Sequence, residues 1–183
     1  MPTEMEEVEI RGIKTRVWKN APPTLRDVVT VGRAHGEKIF LVHEDERVSF
    51  EAFHRAVAAF AKVLEAKGVK KGDRIAIVMR NLPEWPVAFY GALSIGAIVT
   101  PLNAWWTGQE LHYGLTDSGS RILLTDPERL ERIVEQANAR SDSLTGTRGS
   151  ASATGSPGRN CASCSSTYTA IAMLPSSMIA TNQ

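Results

Sequence analysis

The sequence predicts an α/β fold, in which a mostly parallel sheet is flanked by helices and followed by a largely disordered tail. Apolar runs of strand length alternate with amphipathic segments of helix length up to Gln136. Caps and turn residues separate these segments, and beyond Gln136 the patterning stops. Because a helix lies between most successive strands, the connections favour a parallel sheet with helices on both faces.

The assignable elements begin at Thr24, which suits the N-cap of a short helix that ends near Gly36. Residues 38–43 then predict a strand, and the acidic turn at residues 44–46 leads into a short strand at residues 47–48. Local chain reversal is therefore expected before the main sheet begins.

The clearest helix follows Ser49 as its cap and ends at Gly68, where a left-handed residue is expected. Its apolar residues recur at steps of three and four, which places them on one helical face: Phe50, Phe53, Val57, Phe60 and Leu64.

Two strands with buried faces are predicted next. A turn at Gly72 precedes residues 74–79, whose continuous apolar run is typical of a strand buried on both faces. A helix follows Pro83 and stops at Gly96, after which residues 97–100 predict another buried strand.

The last ordered elements are predicted by their start signals. Thr107 and Glu110 have the spacing of a capping box and open a helix. Residues 121–125 predict a strand, and Asp126 with Pro127 supplies a cap followed by proline at the first helical position.

The composition divides the chain into two regions, residues 1–136 and 137–183. The second contains no Lys or Glu, and Ser, Thr, Gly and Ala dominate it without an apolar period. Such a segment buries too little apolar surface to offset its ordering entropy. We therefore expect it to be a disordered tail or one translated out of frame.

The overall composition excludes several classes of protein. The 21 Lys and Arg nearly balance the 20 Asp and Glu, so no global field favours nucleic acid. The sequence has no pattern of a leader peptide and no apolar run of membrane-spanning length. Two cysteines, Cys161 and Cys164, are too few for a disulfide framework and are consistent with a reducing compartment. We therefore expect a cytoplasmic protein.

Three short motifs resemble known sites but lack their context. Residues 91–96 have the glycine spacing of a phosphate loop without its Lys and Ser or Thr, and Ser94 is misplaced for a hydrolase elbow. Residues 146–149 follow no strand, and the two cysteines lack a second pair for zinc. Helix packing, low complexity and chance are the favoured interpretations.

The polar residues that remain do not suggest a catalytic site. Asp73 and Arg74 are expected to fix a turn and a surface contact. None of the histidines has a local carboxylate or cysteine arrangement, so all are expected at turns or on the surface: His35, His43, His54 and His112.

Ordered motifs across residues 24–136 resemble the N-terminal region of adenylate-forming enzymes, and most closely that of bacterial acyl-CoA synthetases. They are, in order, VSFEAF (48–53), GDRIAI (72–77), NLPEW (81–85), YGALSIGAIVTPLN (90–103), and DSGSR with LTD (117–126). Residues 103–108 (NAWWTG) resemble a variant of the fatty-acyl ligases. The fold implied is part of the N-terminal subdomain of that family.

The resemblance implies a two-step reaction that uses ATP, Mg²⁺ and coenzyme A. A fatty acid and ATP give an acyl-adenylate and pyrophosphate, and coenzyme A then displaces AMP. The family's nucleotide-contacting motifs have no matching positions here, so we assign no catalytic, cofactor-binding or metal-binding residue. The resemblance thus predicts a truncated ligase that binds no cofactor and is inactive alone.

Two other functions remain open. The chain could be a non-catalytic module that binds a full-length ligase or another protein through an exposed sheet edge and Trp105 with Trp106. These tryptophans could also face an acyl channel, although packing against further chain is the favoured interpretation. The last possibility is that the chain adenylates a fatty acid unaided.

Overall fold

The computed structural model describes residues 4–145 and 169–172. The strands are β1 (Met5–Ile10), β2 (Ile13–Trp18), β3 (Ile39–His43), β4 (Glu46–Ser49), β5 (Arg74–Val78), β6 (Ile98–Pro101), β7 (Ile122–Thr125) and β8 (Thr169–Ala172). The helices are α1 (Leu25–Gly32), α2 (Phe50–Ala66), α3 (Glu84–Ser94), α4 (Gly108–Ser118) and α5 (Pro127–Thr145), and a 3₁₀ turn, Arg33–His35, follows α1.

The central sheet has the strand order β6-β5-β7-β8, and every neighbouring pair is parallel. Ile75 and Ile77 of β5 join the core beneath α2 and α3, whereas Ala76 and Val78 join the core with residues of α4 and α5. Alternate side chains of this strand are therefore buried on opposite faces, which is why its sequence is continuously apolar. The predicted α/β fold with helices on both faces is confirmed.

Strand β6 corrects one expectation, because it is not buried like β5. It lies at the edge of the described sheet, and Ile98 is 52% exposed. Its apolar sequence matches that of a central strand, but burial depends on position in the sheet. Strand β6 pairs with one side of β5, and β7 pairs with the other side. This strand order leaves β6 with a neighbour on one side only within the described sheet.

An antiparallel hairpin, β1–β2, precedes all the predicted elements. Its turn places Arg11 and Gly12 at φ of 52° and 80°, the left-handed values that tight hairpin turns require. This hairpin was not predicted from the sequence, although Val8, Glu9 and Ile10 alternate in polarity before the turn. The predicted second hairpin, β3–β4, is confirmed.

The predicted helix caps form as expected. Thr24 and Asp27 make a reciprocal capping box, and the hydroxyl of Ser49 accepts a hydrogen bond from the backbone N–H of Ala52 at 3.1 Å. Gly68 has a φ of 80°, as expected for the residue that terminates α2. Within the described part of the chain, no helix is both long enough and apolar enough to cross a membrane.

Two stretches of the expected tail have defined structure. Helix α5 continues past Gln136 to Thr145, and β8 pairs in parallel with β7. Both stretches lie within a tail that was expected to be largely disordered, because the capped helix α5 extends into it and a short apolar segment adds a strand to the sheet. The other residues of the tail, including 146–149, Cys161 and Cys164, lie outside the described residues.

Replacing Thr107 with alanine tests the capping box of α4. The Thr107 hydroxyl accepts a hydrogen bond from the backbone N–H of Glu110 at 3.3 Å, and the Glu110 carboxylate accepts one from the backbone N–H of Thr107 at 2.8 Å. We expect the free energy of unfolding to fall by about 1 kcal/mol, measured by urea denaturation. A matched Thr116→Ala change, on the exposed surface of α4, should cost less, and equal losses would contradict the capping role.

The same cap lowers the pKa of Glu110, chiefly through the backbone N–H of Thr107 and then through its hydroxyl. A carboxyl group whose pKa is lower in the folded state than in the unfolded state stabilises the fold at pH values above its unfolded-state pKa. That contribution is lost as the pH falls through its folded-state pKa. We therefore expect Thr107→Ala to raise the Glu110 pKa partly, measured by NMR titration, and to cost less stability in acid.

Candidate functional site at the carboxyl edge of the sheet

A cleft of about 620 Å³ opens where β5 and β6 end. Open parallel sheets bind ligands at this edge, beside the point where successive connections leave to opposite sides. Here β5 is that point, since β6 and β7 flank it. The residues that line the cleft are His43, Glu44, Met79, Arg80, Asn81, Leu82, Trp85, Pro101, Leu102, Asn103, Ala104 and Trp105.

Local hydrogen bonds shape the two loops that form the cleft. After β5, the backbone N–H of Leu82 donates to the carbonyl of Arg80, and α3 begins directly afterwards. After β6, the Asn103 side-chain oxygen accepts a hydrogen bond from the backbone N–H of Trp105 at 2.9 Å. This bond turns the chain and leaves the Trp105 side chain pointing away from the core, where it is 69% exposed.

A buried carboxylate connects the ends of β5 and β7. Asp126 accepts a hydrogen bond from the backbone N–H of Arg80 at 3.0 Å and another from that of Arg129 at 2.9 Å. The second bond is the predicted cap of α5, which is confirmed. The first lies 46 residues away in sequence and could not be predicted from local pattern.

Arg129 extends this connection to the loop after β6. Its side chain is only 1% exposed, and its Nε donates to the carbonyl of Ala104 at 3.0 Å. Its Nη1 lies 2.7 Å from a Glu128 oxygen and 3.5 Å from Asp126. Asp126 and Arg129 together therefore hold the ends of three neighbouring strands.

The charges around Arg129 are largely compensated. Desolvation raises the pKa of Glu128, but the charges and hydrogen bonds of Arg129 and Arg132 outweigh it, so that pKa lies below its usual value. Among the described residues, Nη2 of Arg129 is buried without a hydrogen-bond partner. The guanidinium thus keeps one nitrogen, with two N–H donors, unused, although two carboxylates already balance its charge.

Trp105 lies beside two guanidinium groups. The Arg80 guanidinium carbon is 5.4 Å from the centroid of its ring, and that of Arg129 is 5.5 Å away. Both distances suit a cation–π contact. Trp106 differs, because it is partly buried against Leu102 in the core beneath α4. The structure therefore separates the two tryptophans that the sequence analysis treated as a pair.

The phosphate-loop-like glycines have structural roles, as predicted. Gly91 lies where α3 crosses α2, and a methyl group there would lie 2.8 Å from Cδ1 of Phe60. Gly96 has a φ of 77° at the end of α3, and the Ser94 hydroxyl donates to the carbonyl of Tyr90 at 2.7 Å. Asp73 also fixes a turn, since it accepts a hydrogen bond from the backbone N–H of Lys70 at 2.9 Å.

The histidines do not form a site together. His35 packs against Phe50 with ring centroids 4.7 Å apart. Burial, followed by the charge of Arg33, lowers the pKa of His54, whereas His43 lines the cleft. Among residues 4–145 and 169–172, no three His, Cys, Asp or Glu side chains are grouped so that they could hold a metal ion.

The cleft is lined by side chains of types that can bind a ligand. Its side chains offer one guanidinium with no ion pair among the described residues, amide groups and aromatic surface. Neither Arg80 nor the Asp126–Arg129 connection was predicted from the sequence. Arg80 follows the buried strand directly, and that position alone could have identified it as a residue of the ligand-binding edge.

The strand order and the position of the cleft define the chain as a doubly wound α/β protein. A model of the AMP-binding enzyme family matches residues 29–165, which is most of the chain. The chain belongs to this family. The match continues beyond the boundary at residue 136, and that division of the chain stays a prediction.

Similar proteins agree with this assignment. A long-chain-fatty-acid–CoA ligase of Salmonella typhimurium is 36% identical over 108 residues, which cover 57% of this chain and 19% of that protein. A 4-hydroxybenzoate–CoA/benzoate–CoA ligase of Rhodopseudomonas palustris is 32% identical over 107 residues, covering 58% and 20%. The chain thus spans about a fifth of the length of these curated relatives.

A solved structure agrees as well. The O-succinylbenzoate coenzyme A synthetase of Bacillus subtilis, in complex with AMP, superposes with a TM-score of 0.53 at 33% identity. The superposition covers 55% of this chain and 26% of that one. The predicted resemblance to bacterial acyl-CoA ligases and the predicted fold class are both confirmed.

Proposed function

We propose that this chain is the N-terminal part of an ATP-dependent fatty-acid–CoA ligase. The observation that carries the proposal is the family match over residues 29–165, together with relatives named as long-chain-fatty-acid–CoA ligases. The benzoate-type relative widens the range of acids, but more of the similar ligases are named for fatty acids. The reaction proposed is the conversion of fatty acid, ATP and coenzyme A into acyl-CoA, AMP and pyrophosphate.

The described residues do not suit ATP and Mg²⁺. An adenylating site must stabilise charge on the phosphates with several cations, and it must hold a metal ion. In the cleft, Arg80 has no ion pair with any described residue, while Arg129 is bound by Glu128 and Asp126. We derive no catalytic step through these residues and propose that the 183-residue chain does not form an acyl-adenylate alone.

Pyrophosphate release tests this proposal. Purified chain is incubated with ATP, Mg²⁺ and palmitate, and we expect no release above a protein-free blank. A full-length long-chain-fatty-acid–CoA ligase under the same conditions serves as the positive control. Release that requires both ATP and the acid would show that the chain is an enzyme by itself.

The origin of the tail needs a separate test. We propose that part of residues 137–183 is translated out of frame, because they contain no Lys or Glu. The family match to residue 165 limits how early such a change could begin. Translation of the downstream DNA in the other two frames should give a Thr/Ser/Gly-rich phosphate loop followed by a lysine, and its absence would overturn the proposal.

The cytoplasmic location also stays a prediction.

A non-catalytic protein-binding role is the second candidate, and the exposed Trp105 favours it. The expected sheet edge does not favour it. Ile98 and Leu102 donate their backbone N–H groups toward β5, at 2.9 Å in both cases. In a parallel strand the backbone groups of alternate residues point to opposite sides, so those of Val99 and Pro101 point away from β5. One of these is Pro101, which has no N–H, and the edge therefore offers little for strand pairing.

A further inference from the structure

We propose that the surface formed by Arg80 and Trp105 is a docking site for a peptide segment that carries one carboxylate between apolar side chains. This inference rests on the second candidate function and is independent of ligase activity. Its two central residues are of the types that contribute most to protein interfaces, and they lie together at the mouth of a cleft.

Charge complementarity identifies the acidic group of the partner. Three of the groups near this surface, Asp126, Glu128 and Arg129, satisfy one another's charges. Arg80 is exposed, and its ring contact with Trp105 is made without any ion pair among the described residues. A guanidinium that rests on an aromatic face keeps its N–H donors, and these suit the two oxygens of a carboxylate.

The walls of the cleft define the rest of the partner. Met79, Leu82 and Trp85 provide apolar surface, and Asn81 provides a side-chain amide that can bond to a peptide backbone. Glu44 lines the same cleft, so a second acidic group on the partner would be repelled. The partner expected is therefore a short, mostly apolar segment with a single Asp or Glu.

The surface is also organised before a partner arrives. Asn103 fixes the backbone of Trp105, and Arg129 holds the carbonyl of Ala104 beside it. Asp126 holds the backbone of Arg80. Because both loops are fixed by hydrogen bonds, little ordering entropy opposes binding.

NMR titration of the full chain with two synthetic peptides tests the proposal. One has a Leu-Asp-Leu core, and the other has Leu-Asn-Leu with the same flanks. We expect the indole N–H signal of Trp105 to shift and saturate with the acidic peptide, and the amide peptide to bind about tenfold more weakly. The indole signal of Trp18, in the hairpin, should not move and serves as an internal reference.

Substitutions of Arg80 show whether its guanidinium recognises the carboxylate. Arg80→Gln should weaken the acidic peptide about tenfold and remove its preference over the amide peptide. Arg80→Lys should restore part of the preference, whereas Arg16→Gln, at an exposed arginine of the hairpin, should change nothing. Unchanged signals of Trp18 and of the backbone N–H groups of α2, which lies away from the cleft, would confirm that each variant is folded.

Other results would overturn the proposal. Equal affinity for the two peptides, or no shift of Trp105, would exclude an acid-dependent docking site. A saturating shift with acetate or benzoate alone would indicate a site for small carboxylates instead. Sedimentation that shows a dimer, dispersed by Trp105→Ala, would indicate a second copy as the occupant. A protein partner that binds in the Arg80→Gln variant would support the second candidate function at another surface.

Discussion

Replacing Asp126 with alanine is expected to lower the free energy of unfolding by about 3–5 kcal/mol. The change removes the cap of α5 and the acceptor for the backbone N–H of Arg80. It also leaves Arg129, which is 1% exposed, with one fewer carboxylate in a site that water does not reach. This loss approaches the lower range of a whole domain's stability, about 5–15 kcal/mol.

Urea denaturation followed by tryptophan fluorescence measures this effect. Asp73→Ala is the matched control, since Asp73 also accepts a backbone N–H and pairs with an arginine, Arg121, at 3.2 Å. That arginine side chain is 72% exposed, so the control should lose much less stability. Similar losses in the two variants would contradict the importance of burial.

A second substitution separates charge from hydrogen bonding. Asp126→Asn keeps an oxygen that can cap α5 but removes the charge beside Arg129. We expect Asp126→Asn to lower the free energy of unfolding, but by less than Asp126→Ala does. Adding Arg129→Met to Asp126→Ala should recover part of the stability, because the buried guanidinium that has lost one of its two carboxylate partners is then removed.

The sequence was sufficient for the elements that depend on local chemistry. Caps at Thr24, Ser49, Thr107 and Asp126 all form, because a side chain three residues or fewer from its partner defines them. The facing residues of α2 were also predicted, because helical periodicity determines which side chains share a face. Local order and face assignment therefore follow from short-range pattern.

Features that depend on distant residues could not be predicted in the same way. The exposure of β6 follows from its position at the edge of the described sheet, although its sequence is as apolar as that of a central strand. The contact between Arg129 and the carbonyl of Ala104 joins residues 25 positions apart. The different environments of Trp105 and Trp106 follow from one turn fixed by Asn103. The candidate site is composed of such contacts, and this is why only Trp105, as a possible partner contact, and Asp126, as a helix cap, were named from the sequence.

Replacing Gly91 with alanine is expected to destabilise the chain by about 1–3 kcal/mol, although alanine is the better helix former. The new methyl group would lie 2.8 Å from Cδ1 of Phe60, which is 1% exposed and cannot move into solvent. Urea denaturation measures the loss. The matched control is Gly32→Ala in α1, where the nearest heavy atom would be 3.6 Å away, and there we expect a gain of about 0.4–1 kcal/mol.

A double variant shows whether the contact with Phe60 is the cause. In a Phe60→Leu background, the added cost of Gly91→Ala should shrink, giving a coupling energy of about 0.5–3 kcal/mol. If Gly91→Ala instead stabilises the chain as Gly32→Ala does, close helix packing is not the reason for glycine at this position. A phosphate-binding role for residues 91–96 predicts no such coupling, because phosphate would contact backbone N–H groups and not the α2–α3 interface. The coupling energy therefore distinguishes helix packing from phosphate binding as the reason for the glycine spacing.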